Sequence, residues 1–261
     1  MLTAYDYPSA KILDEQGVDI VLVGDSVGTT MLGYSDTTRV TMDDMVRHTG
    51  AAARAVKRAF VLADMPIDSY TTKARAIANA RRLLLSGAHG VKLEGGRHIA
   101  PIVRALRIEG INVCGHIGYL PQSISKPGVV GKLPAEAKNL FADAFTLQQA
   151  GAFMIVIELV PKELARTISR SLKIPTIGIG AGPDCDGQVQ VFHDMVGLSP
   201  VVYRHAKAFA NGKEVFAAAV SQYVKEVTER TFPTKDNSSS LPAEAAIELA
   251  SWISKKKKRG R

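Results

Sequence analysis

The stretch Ile20-Val21-Leu22-Val23-Gly24-Asp25-Ser26-Val27-Gly28 opens on four apolar residues, three of them β-branched, and stops on a glycine, a carboxylate and a hydroxyl. Such a run suits a strand buried on both faces, as in a parallel sheet. Asp25 and Ser26 then stand where the strand passes into its loop. The same design recurs along the chain. Val61-Leu62-Ala63 ends in Asp64, Val91-Lys92-Leu93 in Glu94, Val113-Cys114-Gly115 in His116, and Ile155-Val156-Ile157 in Glu158. Parallel strands that each finish on a polar, mostly acidic residue bring those residues to one face if the sheet closes into a barrel.

The segments between these strands read as helices. Tyr7 to Gln16 is followed by the stop Gly17. Thr41-Met42-Asp43-Asp44 resembles a capping box that opens a helix to about Lys57. Thr71 and Thr72 open a helix through Leu85, Arg97 to Ile108 ends at Gly110, Ala135 to Ala150 ends at Gly151, and Pro161 sits in the first turn of a helix to Leu172. With first strand Leu2 to Tyr5, seventh strand Pro175 to Ile179 and eighth strand Gln188 to Phe192, strand and helix alternate across about 200 residues and the strands number eight. That predicts an α/β protein, a (β/α)8 barrel rather than an open sheet. Ser26 to Val40 and the Gly/Pro/Ser/Lys-rich segment His116 to Leu133 read as long loops, the second as mobile. Beyond the barrel, Ala206 to Arg230 reads as helix, Phe232 to Leu241 as linker and Pro242 to Ser254 as a last helix. The domain reading is therefore a catalytic barrel over 1–230, followed by linker, short helix and basic disordered tail over 231–261.

Composition narrows the class. The chain has 261 residues, 46% of them hydrophobic and 22% charged, as expected for a globular protein. No apolar run reaches the roughly 18 residues of a membrane span, and the start carries no export signal. Two cysteines, Cys114 and Cys185, are too few for a disulfide framework and suit a reducing compartment. The net charge of +8 belongs to the end: Lys255 to Arg261 hold four Lys and two Arg, and without them it falls to +2. A run of this kind is a solvated end, or it contacts nucleic acid or an acidic surface.

Each candidate residue has a plainer alternative. Asp25 and Asp64 at neighbouring strand ends would repel one another unless a hard divalent cation, Mg²⁺ rather than Zn²⁺, sat between them; otherwise they cap helices. Lys92 and Glu94, two apart on one strand, share a side and form either an anion-binding pair or a structural ion pair. Glu158, beside Leu159-Val160-Pro161, reads as a general base with its pKa raised by apolar neighbours, or as a cap. His116 contacts an anionic substrate or packs as a neutral loop residue. The other five histidines, His48, His89, His98, His193 and His205, read as structural. Gly95-Gly96 offers backbone N–H groups to an anion, and Gly178 to Gly182 reads as close backbone packing, since its spacing fits no nucleotide motif.

The ordered set Thr3-Ala4-Tyr5-Asp6, Val23-Gly24-Asp25-Ser26, Leu62-Ala63-Asp64-Met65-Pro66, Val91-Lys92-Leu93-Glu94-Gly95-Gly96, Cys114-Gly115-His116-Ile117-Gly118, Glu158-Leu159-Val160-Pro161 and Ile177-Gly178-Ile179-Gly180-Ala181-Gly182 resembles the ketopantoate hydroxymethyltransferase family, from residue 2 to about 200. The resemblance implies a barrel of the phosphoenolpyruvate/pyruvate superfamily. It implies transfer of a one-carbon unit from 5,10-methylenetetrahydrofolate to 3-methyl-2-oxobutanoate through a Mg²⁺-stabilised enolate, giving ketopantoate for pantothenate and coenzyme A. Carried over by position, Asp25 and Asp64 would bind one Mg²⁺ per subunit with Glu94 nearby. Ser26 and Lys92, with His116, would hold the keto acid, and Glu158 would be the base. It further implies a cytoplasmic homo-oligomer, a decamer in many members.

Four departures stand out. The chain starts almost at its first strand, without the family's lead-in, so an organellar location is the alternative if a transit segment preceded it. Lys126 to Lys132 is shorter than the family's glycine-rich loop, with consequences for folate access. Val201-Val202-Tyr203-Arg204 replaces the usual Pro-Lys/Arg-Phe run, and the basic tail is not a family feature. Two competing readings are a carbon–carbon lyase of the same superfamily, which would need a loop cysteine not found here, and a non-catalytic barrel whose tail binds nucleic acid.

Overall fold

The computed structural model describes residues 1–123, 128–199, 201 and 203–259. The expected loop segment Lys126-Pro127, the middle of Val201-Val202-Tyr203 and the last two residues lie outside them.

The chain divides into two compact units, Met1–Ala210 and Asn211–Arg261. The first holds eight parallel strands in sequence order: β1 (Leu2–Thr3), β2 (Ile20–Val23), β3 (Phe60–Asp64), β4 (Gly90–Glu94), β5 (Val113–Gly118), β6 (Met154–Glu158), β7 (Thr176–Ile179) and β8 (Gly187–Gln188). A parallel bridge from Leu2 to Gln190, with the Thr3 N–H donating to the Gln190 carbonyl at 3.3 Å, joins the last strand to the first. The helices between them are α1 (Tyr7–Glu15), α2 (Val27–Thr30), α3 (Met42–Ala53), α4 (Lys73–Leu85), α5 (Ala100–Ile108), α6 (Pro134–Ala150) and α7 (Lys162–Ser171), with α8 (Phe192–Met195) after the barrel.

Local chemistry accounts for the starts of these helices. Asp6 accepts from the Ser9 N–H at 2.8 Å, and Thr72 caps α4 through the Arg75 N–H. Thr41 and Asp44 form the expected reciprocal box, each side chain bonding the other's backbone N–H. Asp6 is thus a cap and takes no part in the mouth of the barrel.

The strands separate two cores. Val21, Val23, Val61, Ala63, Val91, Leu93, Ile155 and Ile157 face outward into the helices. Their alternates Leu22, Leu62, Cys114, Met154, Val156 and Ile177 fill the barrel. Because side chains alternate along a strand, Asp64, Lys92, Glu94, His116 and Glu158 continue the inner set toward the C-terminal mouth.

Several expectations change. The eighth strand is Gly187–Gln188, and Phe192 already begins α8. No helix lies between β7 and β8, whose seven-residue connection is short for a parallel crossover. β5 runs to Gly118, so His116 is a buried strand residue and not a loop histidine. Arg97–Ile99 forms a 3₁₀ turn before α5.

In the second unit, α9 covers Gly212–Glu229, a 3₁₀ turn Lys235–Asn237 lies in the expected linker, and α10 covers Ala243–Arg259. The helix expected from Ala206 therefore starts later, and it belongs to this unit rather than to a domain ending at 230. The lysine run expected to be disordered continues α10, since Ala, Glu, Leu and Lys favour helix and no breaker intervenes before Gly260. Lysines there also oppose the helix dipole favourably. No helix among the described residues is long and apolar enough to cross a membrane.

Candidate active site

Parallel register sets the first contacts. Asp64 pairs with Lys92 across β3 and β4, Glu94 with His116 across β4 and β5, and Gly118 with Glu158 across β5 and β6. Side chains at paired positions lie on the same side of the sheet. The Lys92 ammonium accordingly lies 3.1 Å from Asp64 Oδ1, and His116 Nδ1 lies 3.3 Å from Glu94 Oε1. The other ring nitrogen, Nε2, lies 3.2 Å from Glu158 Oε2. Asp25 joins from the end of β2, its N–H donating to Asp64 Oδ2 at 3.0 Å. Ser26 Oγ meets the Tyr5 hydroxyl at 2.7 Å. Gly24 keeps this corner open, since a Cβ there would come within 2.9 Å of Ser26 Oγ and 3.5 Å of Asp64 Oδ2.

All seven residues expected at the site, Asp25, Ser26, Asp64, Lys92, Glu94, His116 and Glu158, line one cavity of about 910 Å³. Its outer wall takes Thr29 to Thr30 and Tyr34 to Thr38 from the long loop, and Tyr119, Tyr203 and His205. Among the described residues no three His, Cys, Asp or Glu side chains are gathered into a ready metal cage. Glu94 is already engaged, accepting from the Gln122 N–H at 3.0 Å besides facing His116. The fit to a cation rests instead on the aspartates. Asp64 Oδ1 is buried, and its one close partner is the Lys92 ammonium at 3.1 Å. Burial and the facing Asp64 and Glu94 push the Asp25 carboxyl up to about 8. Two crowded oxygen donors beside an open cavity suit a small hard dication that keeps water or substrate oxygens for its other positions.

His116 carries the electrostatics of the far side. Burial and the Lys92 ammonium pull its pKa down, but hydrogen bonding to Glu158 and Glu94 wins and holds it at about 9. Nδ1 lies 3.3 Å from both Glu94 Oε1 and the Lys92 ammonium; the carboxylate favours a proton on that nitrogen and the ammonium opposes it. This folded pKa lies above the ordinary 6.5. The stabilisation from protonated His116 is thus complete below pH 6.5 and lost as pH rises through 9. Urea denaturation of wild type and His116→Gln is expected to show a difference that shrinks by about 2–3 kcal/mol between pH 6 and pH 10; a pH-independent difference would mean that the ring is neutral throughout.

Two glycine segments resolve differently from one another. The N–H groups opened by Gly95-Gly96 already have their anion: Asp143 of α6 accepts from the Arg97 N–H at 3.0 Å, and a Cβ on Gly96 would run into that carboxylate. Gly180 and Gly182 sit at positive φ against Leu159 and Lys162, in keeping with close packing.

Sequence reasoning missed four residues. Gln122 is buried among Asp25, Glu94 and Tyr70. Tyr70 donates to it, Tyr5 holds Ser26, and His193 lies in the cavity wall with its ring tilted on Tyr5, centroids 5.7 Å apart. Tyr5 lay within the first resembling block. A neutral amide in a loop and a tyrosine six residues beyond a strand end carry no comparable signal. Glu158, expected among apolar neighbours, lies 3.2 Å from His116 Nε2.

A family model described as ketopantoate hydroxymethyltransferase matches residues 1–235. A 3-methyl-2-oxobutanoate hydroxymethyltransferase of Chloroflexus aurantiacus is 51% identical over 256 residues, covering 96% of this chain and 91% of its own. One from Acetivibrio thermocellus is 54% identical over 244 residues, covering 91% and 86%. Among solved structures, a phosphoenolpyruvate phosphomutase from Streptomyces platensis subsp. rosaceus superposes with a TM-score of 0.59 at 15% identity, over 100% of this chain and 93% of that one. A 2,3-dimethylmalate lyase, described as a PEP mutase/isocitrate lyase superfamily member, gives 0.59 at 15% over 99% and 91%. At that identity these two speak to the fold alone.

Proposed function

The chain belongs to the ketopantoate hydroxymethyltransferase family, and on that premise we propose that it converts 3-methyl-2-oxobutanoate to ketopantoate with 5,10-methylenetetrahydrofolate as donor. The observation that carries this reading is the meeting of Asp25, Asp64, Lys92, His116 and Glu158 in one cavity.

Asp25 and Asp64 would hold Mg²⁺, which when bound supplies Lewis-acid polarisation of the keto oxygen. Ser26, fixed by Tyr5, donates its hydroxyl to the substrate carboxylate. Glu158 removes the C3 proton, and His116 keeps that carboxylate aimed into the cavity. Lys92 sets a fixed positive charge near the oxygen where negative charge develops. The folate's methylene carbon loses both of its bonds to nitrogen and gains one to C3 and one to the oxygen of water. The proton from C3 and one proton of the water end on the two folate nitrogens, and tetrahydrofolate leaves.

The test is exchange of the C3 proton of 3-methyl-2-oxobutanoate into D₂O, with and without Mg²⁺. Metal-dependent exchange in wild type that falls by two to four orders of magnitude in Glu158→Gln is the expected result. Absence of exchange in folded, metal-loaded wild type would remove the proton-abstraction step.

A further inference from the structure

Gln122 makes four hydrogen bonds in the barrel mouth, yet it is neither charged nor positioned to react. Its side chain is almost wholly buried, at 4% exposure. Nε2 donates to Asp25 Oδ2 at 2.9 Å and to the Met65 carbonyl at 3.0 Å. Oε1 accepts from the Tyr70 hydroxyl at 2.7 Å. The backbone N–H donates to Glu94 Oε2 at 3.0 Å.

These partners leave the amide one orientation. The Met65 carbonyl only accepts, so the NH₂ must face it. That turns the amide oxygen to Tyr70, whose hydroxyl donates to it at 2.7 Å and also lies 3.2 Å from the Glu94 carbonyl. The second amide hydrogen is then obliged to point at Asp25, which must accept on Oδ2.

We infer that Gln122 is the positioning residue of the Asp25–Asp64 cation site, fixing the Asp25 carboxylate by one oxygen so that the other stays free for the ion; this rests on the metal reading proposed above. The geometry explains why Asp25 needs such a partner. Its own N–H bonds Asp64 Oδ2, the two carboxylates repel, and no cation bonds Asp25 directly among the described residues. Without a donor on Oδ2, the side chain would turn from Asp64 and spoil the paired donor set. Partners that orient metal-ligating carboxylates in this way commonly affect metal affinity 10–100-fold. The alternative, that Gln122 merely ties the loop after β5 to the barrel, predicts a change in stability with no change in metal affinity.

The probe is Mn²⁺, titrated into the full chain without substrate and followed by loss of the free-ion electron paramagnetic resonance signal. Gln122→Met keeps the side chain's length and removes every polar contact beyond the backbone. It is expected to weaken Mn²⁺ binding about 10–100-fold, and C3-proton exchange should recover largely at saturating metal. Tyr70→Phe releases the amide oxygen, and with it the Glu94 carbonyl, while leaving the amide NH₂ on Asp25, and is expected to weaken binding about threefold. Wild-type affinity in both folded variants would overturn the inference while leaving the metal reading standing. Should Gln122→Met not fold, unchanged affinity in Tyr70→Phe overturns it equally. Wild type that binds no Mn²⁺ would overturn both.

Discussion

Lys92→Met is expected to lower the stability of the metal-free protein by about 3–5 kcal/mol at neutral pH. Burial by itself would strip Lys92 of its charge, but Asp64, Glu94 and Asp25 together hold its pKa well above the usual lysine value. The ammonium and Asp64 lie 3.1 Å apart, with side chains 5% and 3% exposed. Methionine fills the space and leaves three buried carboxyl groups, Asp25, Asp64 and Glu94, without their fixed cation. The imbalance is then relieved by taking up protons, by binding metal or by unfolding. Urea denaturation should therefore show a loss that shrinks when Mg²⁺ is added and when pH is lowered, because either supplies the missing positive charge. Exchange of the substrate C3 proton should fall by a factor of about 10²–10³ even with metal saturating, since charge near the developing oxyanion is gone. A loss below about 1 kcal/mol, insensitive to Mg²⁺, would show that the ammonium does not balance these carboxylates.

Gly118→Ala is expected to destabilise the barrel by about 3 kcal/mol or more. Gly118 has φ +97°, and a Cβ there would collide with the Glu158 carbonyl oxygen and come within 2.8 Å of Val160 Cγ2. The adjacent Tyr119 N–H donates to that carbonyl at 2.9 Å, so neither strand end can retreat without breaking the bond that sets Glu158. Gly110 provides the control: its φ is +74°, but a Cβ would meet nothing within 4 Å. Gly110→Ala should cost only the backbone strain, about 1–2 kcal/mol. Proton exchange should be lost in Gly118→Ala and kept in Gly110→Ala. Equal stability losses in the two variants would mean that the collision is relieved by local adjustment.

The strands and most helices were legible because their signals are local. Asp6, Thr41 and Thr72 each act within three residues, and the alternation of buried faces follows from the pleat of a single strand. The eighth strand is shorter than its sequence suggests because its pairing with β7 covers only Gly187 and Gln188, and beyond it a single isolated bridge, Gln190 to Leu2, reaches β1. Its own sequence, Gln188-Val189-Gln190-Val191-Phe192, reads as a longer strand. The sequence puts His116 at a strand end but reads the segment that begins there as loop, because glycines at 115 and 118 resemble one, whereas β5 runs on to Gly118. What buries His116 is pairing with Glu94 and Val156 on the two neighbouring strands.

From its sequence alone this chain determined that polar residues end successive parallel strands, and so that Asp25, Asp64, Glu94, His116 and Glu158 share one face. Periodicity within a few residues carries that information. Only the tertiary structure decided which of them touch. Register couples Lys92 to Asp64, and His116 bridges Glu94 to Glu158. Gln122 reaches Asp25 across 97 residues of chain. Such contacts depend on the offset between strands and on loop paths over the barrel mouth. Long-range packing sets both, and no local property of an amide or a histidine encodes them.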